Sequence, residues 1–258
     1  MAVADPGSEM DEVYWNAHWQ RYAEATRLNP GQRYRRRLIQ RLLGDGARAD
    51  GTTILDVGCG AGDLLEAVAA AYPEARLGGI DQSAGGIAIC QRLLPAAHLA
   101  TLDISAPDFD AGPLTNWASH VVCSEVLEHI EQPVPVLKNL AQFMKADGRL
   151  IITVPGGPRS AFDRSIGHFR HYTPASLRAD LLAAGYRTEL VTGSGFPLFN
   201  LYRLVVVLRG ERLAQDIDGR PGPLARFVMA IFRAVIGWSL FSSRFGWQIV
   251  AIARKADA

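Results

Sequence analysis

From Thr52 onward, short runs rich in apolar and β-branched residues alternate with longer segments whose apolar positions recur at helical spacing. Short runs of the first kind suit strands, and a repeat near 3.6 suits helices. The runs Thr53–Val57, Arg76–Ile80, His98–Leu102, His120–Cys123 and Arg149–Val154 read as strands. Leu64–Ala71, Ser83–Leu94 and Val134–Lys145 read as the helices between them, the last ending at an Asp147-Gly148 turn. Such alternation is the pattern of βαβ units, and it predicts an α/β fold with a parallel sheet and helices on both faces. Thr173-Pro174 offers an N-cap residue followed by a proline suited to the first helical position, and that helix stops near Gly185. Arg187–Thr192 and Gln248–Ala253 complete a set of seven predicted strands.

Two regions lie outside this alternation. Tyr14 to Leu43 mixes aromatics with arginines and carries the stripe Leu38, Ile39, Leu42 and Leu43, which predicts one or two helices before the first strand. Gly193 to Gly246 contains Phe196–Tyr202, Leu204–Leu208, Phe227–Phe232 and Ala234–Trp238, more apolar surface than a connection needs. The resulting division is a flexible tail over 1–12, N-terminal helices over 13–51, an α/β core over 52–192, an apolar helical insertion over 193–246, and the last strand with a tail over 247–258. The insertion either packs on the sheet as core or forms a lid, a homodimer interface or a lipid-facing patch.

Composition narrows the class. A hydrophobic fraction of 48% and a charged fraction of 21% over 258 residues describe a folded globular chain. A formal net charge of +1 disfavours a dedicated nucleic-acid binder, which needs excess positive charge for phosphate contacts. Cys59, Cys90 and Cys123 form no C-x-x-C pair and fit a reducing compartment. Met1 to Asp11 is acidic and small, unlike a secretory leader, and Arg203, Arg209, Arg226 and Arg233 interrupt the most apolar region, so no bilayer span is expected. A cytoplasmic protein is the expectation. The Arg33 to Arg41 cluster reads either as a solvated helix face or as a peripheral contact with a membrane or an acidic head group.

Candidate chemistry begins at Asp56-Val-Gly58-Cys-Gly60-Ala-Gly62, directly after the first strand. In open parallel sheets, ligands bind beyond the carboxyl ends of the strands, where strand order reverses. Glycines there let the backbone turn tightly and approach a ligand. A dinucleotide site would show G-x-G-x-x-G, but Asp63 stands where the third glycine belongs. An acidic residue at the strand end repels a pyrophosphate and suits a ligand that carries an ammonium group. Asp81 and Asp103 close the next two strands, placed for ribose hydroxyls and for an adenine amino group. As turn formers each is unremarkable; as a series they specify a nucleoside that bears an amino acid.

Ile54–Leu65, Gly79-Ile-Asp81, Leu102-Asp103-Ile104 and Ser124–Ile130 resemble the successive motifs of class I S-adenosylmethionine-dependent methyltransferases, notably quinone-precursor and natural-product O-methyltransferases. The resemblance covers about Tyr34 to Val191. It implies a Rossmann-like seven-stranded sheet with an antiparallel last strand. It also implies that Asp56 with Gly58, Gly60 and Gly62 holds the methionine part of S-adenosylmethionine, that Asp81 holds ribose, and that Gln82, Asp103 and Ile104 frame adenine.

Methyl transfer is an in-line displacement on an already activated donor, so the protein mainly aligns the acceptor and excludes water. A base is needed only where the acceptor loses a proton, as a hydroxyl does. His129, after the fourth strand, and His168, after the fifth, are the candidate catalytic or acceptor-positioning residues; as structural residues they would order their loops. Glu125, Glu128 and His129, with His168 or His171 as a fourth ligand, also form a donor set suited to a divalent cation. The expected activity is methylation of a hydroxyl on a small, hydrophobic molecule. The alternatives are N- or C-methylation of a natural product, metal-dependent 2′-O-methylation of RNA, and cofactor binding without turnover.

Overall fold

The computed structural model describes residues 29–209 and 223–256. The tail over 1–12, the first half of the N-terminal helical region and the centre of the insertion lie outside them. The first described helix, α1 (Pro30–Leu43), starts because the Asn29 side chain accepts from the backbone N–H of Gly31 and Gln32 and Pro30 presets the first turn. Its buried stripe is Tyr34, Leu38, Ile39, Leu42 and Leu43.

The core alternates β1 (Thr53–Val57), α2 (Asp63–Ala71), β2 (Arg76–Asp81), α3 (Ala84–Leu93), β3 (His98–Thr101), β4 (Ala118–Ser124), α4 (Pro133–Phe143) and β5 (Met144–Pro155). A short α5 (Ala161–Ser165), then α6 (Pro174–Ala183), β6 (Tyr186–Ser194), α7 (Leu198–Arg209), α8 (Pro223–Val235) and β7 (Gln248–Lys255) follow. The seven strands form one sheet in the order β3-β2-β1-β4-β5-β7-β6. Strands β1 to β5 are mutually parallel, and β7 runs antiparallel between β5 and β6. Strand order reverses between β1 and β4, which opens a crevice beyond their carboxyl ends.

Two apolar layers sandwich the sheet. Leu137, Leu140, Phe143, Leu177 and Leu181 of α4 and α6 cover one face. On the other, the α1 stripe joins Val68 of α2 and reaches Phe199 of α7 and Ile236, a residue of the 3-10 turn after α8. Part of the insertion is therefore core, through Phe199, Val206, Phe232 and Ile236, while much of its apolar surface remains exposed.

Several strands begin or end one or two residues from the sequence pattern, and the largest difference lies where α4 meets β5. Helix α4 stops at Phe143 rather than Lys145, and β5 begins at once with Met144, which is fully buried and pairs with Ala118. The register then shifts, and Arg149 pairs with His120. Asp147-Gly148 lies in this irregular strand entry, because pairing with β4 captures residues whose local sequence suits a helix end.

Candidate active site

Loop conformation at the end of β1 follows from its glycines. Gly58, Gly60 and Gly62 all have positive φ (77°, 51° and 87°), a region that residues bearing a Cβ avoid. Space is equally restrictive: a Cβ on Gly62 would stand 2.6 Å from Cys90 Sγ, and one on Gly58 would collide with Val126, which follows β4. The ends of β1 and β4 thus touch across the switch point. Cys59 and Cys90, remote in sequence, join Leu65 in a small buried cluster beneath the loop, and both are free thiols.

Asp56 is buried near the end of β1, and burial, reinforced by Cys90 and Asp81, pushes its carboxyl well above the usual range. A cationic ligand would stabilise its ionised form. Asp81 accepts from Gly60 N–H and Ser83 N–H, both at 2.8 Å, one on each oxygen. Burial raises its pKa and those two bonds partly offset the rise. Each carboxylate oxygen keeps further acceptor capacity. The glycine cradle, one buried acid and one acid with spare lone pairs match the needs of a nucleoside that carries an ammonium group. Gln82 follows, half-buried. Asp103 is exposed and accepts from Ser105 N–H (2.8 Å) and Ser105 Oγ (2.5 Å), while Ile104 is buried in the main core.

The β4 exit holds the second group of residues. Glu125 sits at φ 57° and is consumed by its neighbours. Arg35 of α1 pairs with its Oε2 at 2.7 Å, and Gln248 Nε2 and Thr153 Oγ1 donate to its Oε1 at 2.7 and 3.2 Å. Glu128 has a different fate. It is fully buried, and among the described residues neither oxygen has a hydrogen-bond partner. Burial, then the charge of Glu125, drives its pKa well upward. Ligand atoms of Glu128, His129 and His168 lie within 4.8 Å of one another, and the His129 and His168 rings meet edge-on with centroids 4.7 Å apart. A backbone bond from Phe169 N–H to Glu128 O (2.8 Å) ties the two loops together. Glu125 is not part of that group.

His168 is held by a relay. A backbone carbonyl only accepts, so the 3.1 Å contact from His171 Nδ1 to Gly157 O puts the proton on Nδ1. Burial lowers the His171 pKa, which keeps the ring neutral and leaves Nε2 with its lone pair. His168 Nδ1, 3.3 Å away, then donates to it. The remaining nitrogen of His168, Nε2, therefore carries a lone pair. Burial, then His129, pulls the His168 pKa down to about 2. Behind both rings, Asp163 stands 3.9 Å from His168 and 3.8 Å from His171. Burial alone would raise the Asp163 pKa, but Arg203, at 3.1 Å, and two hydrogen bonds from Ser160 outweigh it and lower it.

Sequence reasoning had not singled out Arg35, Gln248, Asp163 or Arg203 as site residues. Only Asp163 had a local signal, since Ser160-x-x-Asp163 forms the capping box of α5.

Comparison with known proteins completes the picture. A family model described as a methyltransferase domain matches residues 55–150, from β1 into β5. A ubiquinone biosynthesis O-methyltransferase of Aeromonas salmonicida is 30% identical over 172 residues, covering 60% of this chain and 71% of that protein. Its namesake from Thiobacillus denitrificans is 28% identical over 183 residues, covering 60% and 73%. Among solved structures, a TehB-like SAM-dependent methyltransferase of Corynebacterium glutamicum shares the fold at a TM-score of 0.54 and 17% identity, over 96% of this chain and all of that one. With the glycine cradle, its two acids and the matched domain on the same strand ends, the chain belongs to the class I S-adenosylmethionine-dependent methyltransferases.

Proposed function

We propose that the enzyme methylates a hydroxyl oxygen of a small, hydrophobic acceptor held between the glycine loop and the histidine relay. One observation carries this reading: the His168 ring, fixed by His171, has a ligand nitrogen within 4.8 Å of ligand atoms of Glu128 and His129, residues of the loop that Val126 anchors against Gly58. S-adenosylmethionine, when bound, supplies a methyl group on a positively charged sulfur. Asp56 and the glycines would hold its amino-acid part, Asp81 its ribose, and Gln82, Asp103 and Ile104 its adenine. With its pKa near 2, His168 is a weak base but a well-fixed acceptor, so its role is to receive the acceptor's O–H and set its direction. His129, edge-on to it, is the candidate to take the proton. Apolar residues of the insertion suit an apolar acceptor. The similarity to O-methyltransferases of ubiquinone biosynthesis supports oxygen as the target.

The test is a methyl-transfer assay on a panel of phenols and matched amines, with calorimetry against S-adenosylhomocysteine. His168→Ala should abolish transfer to phenols while product binding persists. Transfer to amines alone, or full activity of the variant, refutes the assignment.

A second reading is favoured by Glu128, whose two buried oxygens, unpartnered among the described residues, could serve as donors to a cation. Glu128, His129 and His168 would hold a divalent ion, which would supply positive charge to the acceptor oxygen. The relay from His168 to His171 to Gly157 is the outer hydrogen bonding that orients a ligating imidazole. Chelation followed by addition of magnesium, manganese or zinc should remove and restore turnover. Unchanged turnover after complete chelation excludes the ion.

A further inference from the structure

Helix α8 is amphipathic in an unusual sense, because it has an apolar face toward solvent as well as one toward the core. Phe232 is buried, as is Ile236 just beyond the helix, and the Phe232 ring meets Tyr202 of α7. Phe227, Ala230, Ile231 and Ala234, with Trp238 just beyond the helix end, fall within about a 100° arc at 3.6 residues per turn, and all are exposed. Phe227 is 63% exposed and Trp238 78%. Burying such rings in protein or lipid is favourable, so their contiguous exposure marks an interaction surface.

Cations border this stripe. Arg33 and Arg37 of α1 and Arg233 of α8 line a cleft of about 340 Å³ together with Ala230 and Ala234 of the stripe itself. The Arg37 guanidinium lies against Gly237, next to Trp238. Among the described residues none of these three arginines takes part in an ion pair, whereas Arg35 and Arg203 point inward to Glu125 and Asp163. Residues 30–43, 193–209 and 223–247 contain arginine but no Asp or Glu. A near-neutral chain has therefore gathered, on one face, exposed aromatic side chains and guanidiniums without an ion pair among the described residues.

We propose that this face, α8 with the Arg33–Arg37 side of α1, docks on an anionic phospholipid surface. The three guanidiniums would meet lipid phosphates while Phe227, Ile231 and Trp238 enter the acyl boundary. Aromatic and aliphatic side chains at the headgroup level, flanked by arginine, are the chemistry of interfacial helices. A protein partner of similar reach would need carboxylates to match these cations, and a second copy of this chain presents arginine against arginine.

Sedimentation with phosphatidylcholine vesicles, with and without phosphatidylglycerol, tests the proposal on the full chain. Binding is expected only where phosphatidylglycerol is present and should weaken as salt rises. Combined Arg33→Gln, Arg37→Gln and Arg233→Gln should weaken it about 100-fold, since each basic residue near such a surface contributes roughly a factor of five. Phe227→Ser with Trp238→Ser should also release the protein, and both variants should bind S-adenosylhomocysteine as the parent does, which reports an intact fold. Equal sedimentation with neutral vesicles, or wild-type binding by the arginine variant, overturns the proposal. So does light scattering that shows a dimer in the absence of lipid, dissociated by the Phe227 and Trp238 substitutions, because the face would then be a protein interface.

Discussion

Replacing Gly58 by alanine separates two constraints on the cofactor loop. The first is conformational: at φ 77° an L-residue costs about 1–2 kcal/mol relative to the right-handed region, partly offset by about 0.4–1 kcal/mol of lost freedom in the unfolded chain. The second is steric, because the new Cβ would lie well inside ordinary contact distance of Val126 Cγ2, and overpacking of this kind costs about 1–3 kcal/mol. Gly51 provides the control, since its φ is 74° and a Cβ there meets nothing within 4 Å. Urea denaturation should therefore show Gly51→Ala destabilised by about 1 kcal/mol and Gly58→Ala by about 2–4 kcal/mol. Adding Val126→Ala to Gly58→Ala should recover most of the steric part and none of the conformational part. Calorimetry should show loss of S-adenosylhomocysteine affinity in Gly58→Ala and retention in Gly51→Ala. Equal destabilisation of the two single variants would refute the argument that the β1 and β4 loops meet at this point.

Two further outcomes follow from buried histidines. His120, on β4, has its pKa lowered from 6.5 to about 4 by burial and by Arg149 and Arg254. Below pH 6.5 the unfolded chain binds a proton that the folded chain refuses, so stability falls with pH by about 3 kcal/mol down to pH 4. His120→Gln should flatten that limb of a urea-midpoint profile by a similar amount, and parallel profiles would contradict it. His171→Leu removes the acceptor for His168 Nδ1–H, frees the His168 tautomer, and should lower kcat roughly 10–100-fold with cofactor affinity unchanged. His171→Gln, whose amide oxygen accepts in the same place, should restore part of it, and identical kcat in both variants argues for a purely structural histidine.

Much of the cofactor half was legible in the chain. Strand and helix periodicity placed all seven strands, and the positive φ of Gly58, Gly60 and Gly62 is the conformation that makes glycine necessary there. The exception within the core, α4 running into β5, arose because pairing of Met144 with Ala118 outweighs a local helix preference. The acceptor half was less legible. Glu125 and Glu128 look equivalent in sequence, yet one is held by Arg35 and Gln248 and the other is buried without a partner among the described residues.

The physical reason is range. Periodicity, caps and left-handed glycines are read by neighbours a few positions away, so local sequence determined the elements, the glycine cradle and the acids at the strand ends. Whether a carboxyl is paired or a histidine keeps its lone pair depends on groups brought in by sheet order. Arg35 meets Gln248 across 213 positions and Gln248 meets Glu125 across 123. Side chains that distant become neighbours only when β7 inserts between β5 and β6 and α1 closes over the sheet, so the tertiary structure alone decided which of the two glutamates is paired with an arginine.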